Sequence, residues 1–186
     1  MEALLIVDVQ NDFCPGGALA VPEGDQIIDA VNRLAAQAPL VLATRDWHPP
    51  DHGSFVDRGG VWPVHCVRGT PGAQLHPGLG ARIDAIIDKG QASGREGYSG
   101  FEDTSLERLL RERDVDTVHV VGLALDYCVK ATALDARTAG FKVVVHAEAT
   151  RTVDVEPGDG ERAVAELRAA GVEVRPAPAR PARDAR

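Results

Sequence analysis

Aromatic side chains are scarce in this chain of 186 residues, which has two Trp, two Tyr and four Phe. Its core must therefore be packed from Val, Leu, Ile and Ala, and the few rings stand out. Phe13, Trp47, Phe55, Trp62, Tyr98, Phe101 and Tyr127 fall in or beside segments that read as loops, and Phe141 alone does not. Rings so placed either support loops from beneath or wall a pocket for a flat ligand. Lysine is scarcer still: among 20 basic residues only Lys89, Lys130 and Lys142 are not arginine. Cysteine is limited to Cys14, Cys66 and Cys128, an odd number that suits free thiols in a reducing compartment better than a disulfide framework. No apolar run reaches membrane-spanning length. The first, Ala3–Val7, is too short for a secretory segment and runs straight into Asp8. A cytoplasmic protein without a membrane segment is expected. Neither G-x-G-x-x-G nor a P-loop occurs, so no nucleotide phosphate site is expected. The net charge of −8, with no basic cluster ahead of the C-terminal tail, argues against nucleic acid and anionic membrane as partners.

A hydrophobic content of 44% suits one domain with a sizeable core, over residues 1–175. Pro176–Arg186, P-A-P-A-R-P-A-R-D-A-R, has no apolar periodicity and reads as a mobile tail. Strands are predicted at 3–7, 40–43, 83–88, 118–121, 142–146 and 172–174. Between them lie helical patterns, one capped by Asp25, one opened by a capping box at Thr104–Glu107, one carrying Cys128 and ending at Gly140, and one over 161–170. Strands alternating with amphipathic helices predict a three-layer α/β/α fold on a six-stranded, mostly parallel, Rossmann-like sheet.

Three chemically capable residues follow predicted strand ends. Asp8 closes the first strand and Lys89 directly follows the third. Cys128 falls, after a turn at Gly122, in the first turn of the next helix. Free N–H groups and the helix dipole at such a turn lower a thiol's pKa and can hold an oxyanion. Each position has a plain structural explanation of its own: a loop-capping acid, a surface lysine, a small buried thiol. The right-handed crossover rule nevertheless gathers all three strand ends on one edge of the sheet, where ligands bind. Asp46, His48, His52 and His65 are a second group. Half of the six histidines fall within it, and Pro49-Pro50 excludes a regular helix, so any metal ligands must converge from a loop. The Gly- and Pro-rich stretch 56–79 is long for a structureless segment and suggests a functional reason. Asp12 and Asp126 read as local hydrogen-bonding residues, and Cys14 and Cys66 as packing beside the site.

In order along the chain stand V-D-V-Q-N-D-F at 7–13, T-R-D-W-H-P at 44–49, D-H at 51–52, W-P-V-H-C at 62–66, D-K-G at 88–90, Y-S-G-F at 98–101 and G-L-A-L-D-Y-C-V at 122–129. Together these pieces resemble the isochorismatase-like cysteine hydrolases and, within them, the nicotinamidases. The resemblance implies a triad of Asp8, Lys89 and Cys128, and one divalent metal on Asp46, His48, His52 and His65. The metal would be zinc before iron or manganese. It further implies an oxyanion hole from the backbone N–H groups of Ala124 and Cys128, with a cis peptide ahead of Ala124, and a nicotinamide ring contacted by Phe13, Trp62, Tyr98, Leu123 and Tyr127. The expected activity is hydrolysis of nicotinamide to nicotinate and ammonia. Two rivals stand beside it: a related amidohydrolase acting on a carbamoyl or ureido substrate, and a non-catalytic metal-binding or redox-sensing protein. Nothing in the pattern specifies monomer or homo-oligomer.

Overall fold

The computed structural model describes residues 1–176, so the expected tail lies outside the described residues but for Pro176. Strands β1 (Glu2–Val7), β2 (Val41–Asp46), β3 (Ala85–Lys89), β4 (Thr117–Leu123), β5 (Lys142–Arg151) and β6 (Glu173–Arg175) form one six-stranded sheet in the order β3-β2-β1-β4-β5-β6, parallel at every pairing. β1 is continuously apolar from Ala3 to Val7 because both of its faces are covered. Leu5, Val7, Leu42, Val118 and Val120 face Leu106 and Leu110 of α2 (Leu106–Glu112), Ala133 and Ala136 of α3 (Lys130–Thr138) and Leu167 of α4 (Asp159–Ala169). Leu4, Ile6, Val41, Ala43, Val121 and Leu123 face α1 (Ile28–Ala35) and the loop after β1. Each such Leu, Ile or Val contributes roughly 1.5–3 kcal/mol by leaving water. This is the three-layer arrangement the alternation predicts.

Strand order reverses between β1 and β4, and a crevice opens beyond their carboxyl ends. Asp8 and the segment leading to Cys128 flank it.

Several boundaries differ from the predicted ones. β2 runs on to Asp46 and β3 to Lys89, which pair in register, because strand pairing continues through polar residues when they are buried. β5 continues to Arg151 past a register shift opposite Val120 and Gly122. Gly122 does not turn the chain but stays within β4 at φ +116, where a Cβ would stand 2.0 Å from the Val7 carbonyl oxygen. The two predicted N-terminal caps also fail, whereas Gly140, at φ +91, follows the end of α3 as expected. Asp25 lies inside a 3-10 turn ahead of α1 and caps nothing. At α2 the N-cap is Ser105, whose φ of −91 and ψ of 7 are not the extended backbone a capping box requires. Thr104 Oγ instead accepts from Leu106 N–H at 3.2 Å, and Glu107 pairs with Arg111.

Candidate active site

Asp8, Lys89 and Cys128, the three residues of the expected triad, meet at the crevice through one ammonium. Lys89 Nζ lies 2.8 Å from Asp8 Oδ2, 2.6 Å from Asp46 Oδ1, 2.8 Å from the Gly97 carbonyl oxygen and 3.4 Å from Cys128 Sγ. A carboxylate oxygen of Asp8, one of Asp46 and the thiol sulfur all lie within 4.8 Å of one another. That set resembles a metal cluster, but the lysine ammonium is already in contact with all three groups. Asp8 sits at φ +50, a left-handed conformation Asp tolerates, and its Oδ1 accepts from the Thr44 hydroxyl at 2.7 Å. Its buried Oδ2 accepts no aligned hydrogen bond and is free to receive a proton.

Burial decides the resting protonation of this cluster. It lifts the Asp8 carboxyl to about 6 against the pull of Lys89. It also raises the Cys128 thiol well above its ordinary value, although Lys89 opposes this. The sequence suggested a thiol lowered by a helix terminus, and the structure reverses that direction. Sγ is buried, and its turn is not the first of an α-helix but a π-turn, Leu125–Val129, in which the Val129 N–H reaches the Ala124 carbonyl at 3.0 Å. Burial works against the charges on Asp46 and Lys89 as well. Their mutual contact, with His48 and Asp8 beside them, outweighs it, holding Asp46 below the usual carboxylate range and Lys89 above the usual ammonium range.

The metal-type donors adjoin the same lysine. One donor atom each from Asp46, His48 and His65 falls within a 4.8 Å group, and His48 Nε2 lies 3.4 Å from Asp46 Oδ2. His52 is outside that group but stacks on His48 with ring centres 4.0 Å apart. Each imidazole has its Nδ1 engaged: His48 with the Gly90 carbonyl at 2.7 Å, His52 with the Ser54 hydroxyl at 2.7 Å and His65 with the Pro63 carbonyl at 2.8 Å. This outer contact orients a metal-binding histidine and leaves Nε2 for the ion. His52 Nε2 is a buried polar atom with no hydrogen-bond partner, and a divalent cation bound there would satisfy it, so the residues fit one. Phe55, fully buried, packs its ring within 5.7 Å of all three imidazoles and keeps them dry.

A narrow cavity joins the two groups. Phe13, Trp62, Tyr98, Tyr127, Ala124 and Cys128 line it, with Asp46, His48 and His65 at one end. The Trp62 indole N–H donates to the Tyr98 hydroxyl at 2.9 Å, and both rings meet Tyr127, at 5.1 and 5.6 Å. Three other loop rings are structural: Phe55 under the histidines, Trp47 beneath the Arg45 guanidinium and Phe101 against Phe141. Leu123, expected at the ligand, does not line the cavity. Strand alternation turns its side chain into the core, toward Gly24. Leu19, Val21, Glu96 and Val153 line it without having been singled out, since they lie in loops without periodicity. The Leu123–Ala124 peptide is cis.

Loop residues hold this frame. Gln10 accepts from the Asp46 backbone N–H at 2.8 Å and donates to the Asp46 carbonyl at 2.9 Å and the Ala73 carbonyl at 3.0 Å, clamping the end of β2. Asp12 is less local than its sequence neighbourhood suggests, accepting from Cys66 N–H at 2.7 Å and tying the 56–79 segment down. Asp126 likewise accepts from the Val153 and Asp154 N–H groups. Cys14 and Cys66 are buried free thiols, and burial followed by nearby Asp25 lifts Cys14 to about 11.

The isochorismatase domain family matches residues 2–178. A nicotinamidase of Escherichia coli is 45% identical over 196 aligned positions, covering 91% of this chain and 92% of its own. Two solved structures superpose closely. The pyrazinamidase of Pyrococcus horikoshii in complex with zinc has a TM-score of 0.86 and 45% identity over 95% of this chain and 99% of its own. A protein from L. infantum in complex with nicotinate has a TM-score of 0.89 and 42% identity over 95% of this chain and 92% of its own. With the family matched from residue 2 to residue 178, this chain belongs to the isochorismatase family.

Proposed function

We propose that this enzyme hydrolyses nicotinamide to nicotinate and ammonia through a thioester on Cys128, returning the pyridine ring to NAD synthesis. The observation that carries the reading is the contact of Lys89 with Asp8, Asp46 and Cys128 at once, which joins a nucleophile and its base to a metal-type donor set. Asp46, His48, His52 and His65 would hold a divalent metal, zinc before iron or manganese for three imidazoles and a carboxylate. When bound it supplies a Lewis-acid anchor for the pyridine nitrogen.

The chain's own residues do the rest. Phe13, Trp62, Tyr98 and Tyr127 confine a flat ring and exclude water around it. The carboxamide then lies against Cys128. Asp8 takes the thiol proton as sulfur attacks the amide carbon, Lys89 stabilising the thiolate as it forms, and the negative charge passes from the Asp8 carboxylate to the former amide oxygen. Backbone N–H groups of Ala124 and Cys128 receive the developing oxyanion, each donor contributing roughly 3 kcal/mol in comparable sites. Asp8 returns the proton to the departing ammonia, then takes one from the water that cleaves the thioester. Nicotinate leaves and the thiol is restored.

A carbamoyl or ureido substrate would leave the metal-type donors without a ring nitrogen to address. The three free thiols suit a cytoplasmic setting, and no helix among the described residues is long and apolar enough to cross a membrane. Elemental analysis alongside a nicotinamide assay tests both halves of the proposal. About one divalent metal per chain and matched yields of ammonia and nicotinate support it. A metal-free enzyme with full activity, or metal-loaded protein inert to nicotinamide, would overturn it.

A further inference from the structure

At the opposite end of the sheet, two histidines outside the active site face one another. His119 on β4 pairs in register with Leu4 on one side and Val144 on the other, so Glu2, His119 and His146 fall on the face that α1 covers only in part. A cleft of about 220 Å³ remains there, lined by Glu2, His119, His146 and Arg175 beside Leu34 and Pro39. His119 Nδ1 and His146 Nε2 are 2.9 Å apart. His119 Nε2 is buried without a hydrogen-bond partner, 3.4 Å from the Glu2 carboxylate.

From this geometry we infer that His119 and His146 form a second binding site for a divalent transition metal, with Glu2 as the outer carboxylate that orients His119. Two metal–nitrogen bonds of about 2.05 Å at a right angle span about 2.9 Å, the separation already present. That angle belongs to tetragonal Cu²⁺ or Ni²⁺, and a tetrahedral ion would need about 3.3 Å. The Glu2 carboxylate favours the tautomer with a proton on His119 Nε2, which leaves the Nδ1 lone pair facing His146. Loading breaks the hydrogen bond between the rings, moves the His146 proton to Nδ1, and swings both lone pairs toward the cleft.

The surroundings permit it. Burial, with His119 and Arg175 nearby, lowers the His146 pKa to about 4, so its imidazole is neutral at neutral pH and available as a ligand. Among the described residues Arg175 is the one cation lining the cleft, and its guanidinium bonds Glu173 at 2.7 Å. Among those residues Glu2 and Glu173 leave the local balance negative.

The test is titration of the enzyme, its catalytic metal in place, with Cu²⁺ alone, followed by calorimetry and electron paramagnetic resonance. Wild type should take one further equivalent showing two nitrogen ligands, without releasing the catalytic metal. His119→Gln and His146→Gln should each lose that equivalent, with nicotinamide turnover unchanged, and Glu2→Gln should weaken it about tenfold. An absent further equivalent, one that survives both histidine substitutions, one showing a single nitrogen, or copper taken up only as the catalytic metal leaves would overturn the assignment. Should a histidine variant fail to fold, the nitrogen count in wild type and the exposed Glu2→Gln variant still decide.

Discussion

Lys89 and Asp46 end adjacent strands in register and touch at 2.6 Å, so one carboxylate serves both halves of the site. Its Oδ1 meets the ammonium beside the thiol, and its Oδ2 faces His48. Asp46→Asn should therefore lose activity in a way that added metal does not restore, because the lysine's counter-charge has gone too. His52→Gln should bind metal roughly 10–100-fold more weakly and regain activity in excess zinc. Activity measured against metal concentration for both variants checks the contrast.

Cys128→Ala should lower ammonia release from nicotinamide by at least about 10⁴-fold, the scale of losing a nucleophile. Its metal content should match that of the parent, since Sγ contacts the lysine and not the imidazoles. Ammonia assay and elemental analysis on one preparation measure both.

The rate should fall on acidification through pH about 6. Burial holds the Asp8 carboxyl there, and only its ionised form accepts the thiol proton. The profile of kcat/KM at saturating metal should show this acidic limb, and Asp8→Asn should abolish turnover across the whole range.

Strand ends were the most legible part of the site in sequence. The apolar run Ala3–Val7 before Asp8 is continuous, and Ala85–Ile87 is a shorter one before Asp88 and Lys89; such runs mark parallel strands whose carboxyl ends converge. The environment of Cys128 was not legible. Its burial depends on packing from several elements, and burial reverses the shift that a helix terminus alone would give. The partnerships of Gln10 with Asp46 and Asp12 with Cys66 span 36 and 54 positions and leave no periodic trace. Leu123 illustrates the opposite error, since its place beside Ala124 in a motif says nothing about which way its side chain points.

His146 should cost stability in acid. Its folded pKa, about 4, lies below the unfolded value of 6.5 because of burial and the neighbouring His119 and Arg175, with Glu173 in partial opposition. Between those values the unfolded chain binds the extra proton. The contribution of the neutral ring is thus complete above pH 6.5 and is lost as pH falls toward 4. Urea midpoints of wild type should drop more steeply across that window than those of His146→Gln.

Gly122→Ala should destabilise the fold by about 2–4 kcal/mol, combining a disfavoured φ with a clash against backbone that cannot yield. Chemical denaturation reads the loss directly. Gly140→Ala, at φ +91 with open space around it, should cost only the conformational part, about 1–2 kcal/mol.

The π-turn at Leu125–Val129 has a bearing on how this chain would tolerate an insertion or deletion. It winds one more residue into its loop than an α-turn does, and α3 takes its angular setting from where that loop closes. Removing a single residue there would rotate the following helix by about 100°. Ala133 and Ala136 would swing out of their contact with the sheet, and Leu134 and Arg137 would take their places. Length between β4 and α3 is therefore under tighter control than side-chain identity, like the tooth count of a gear.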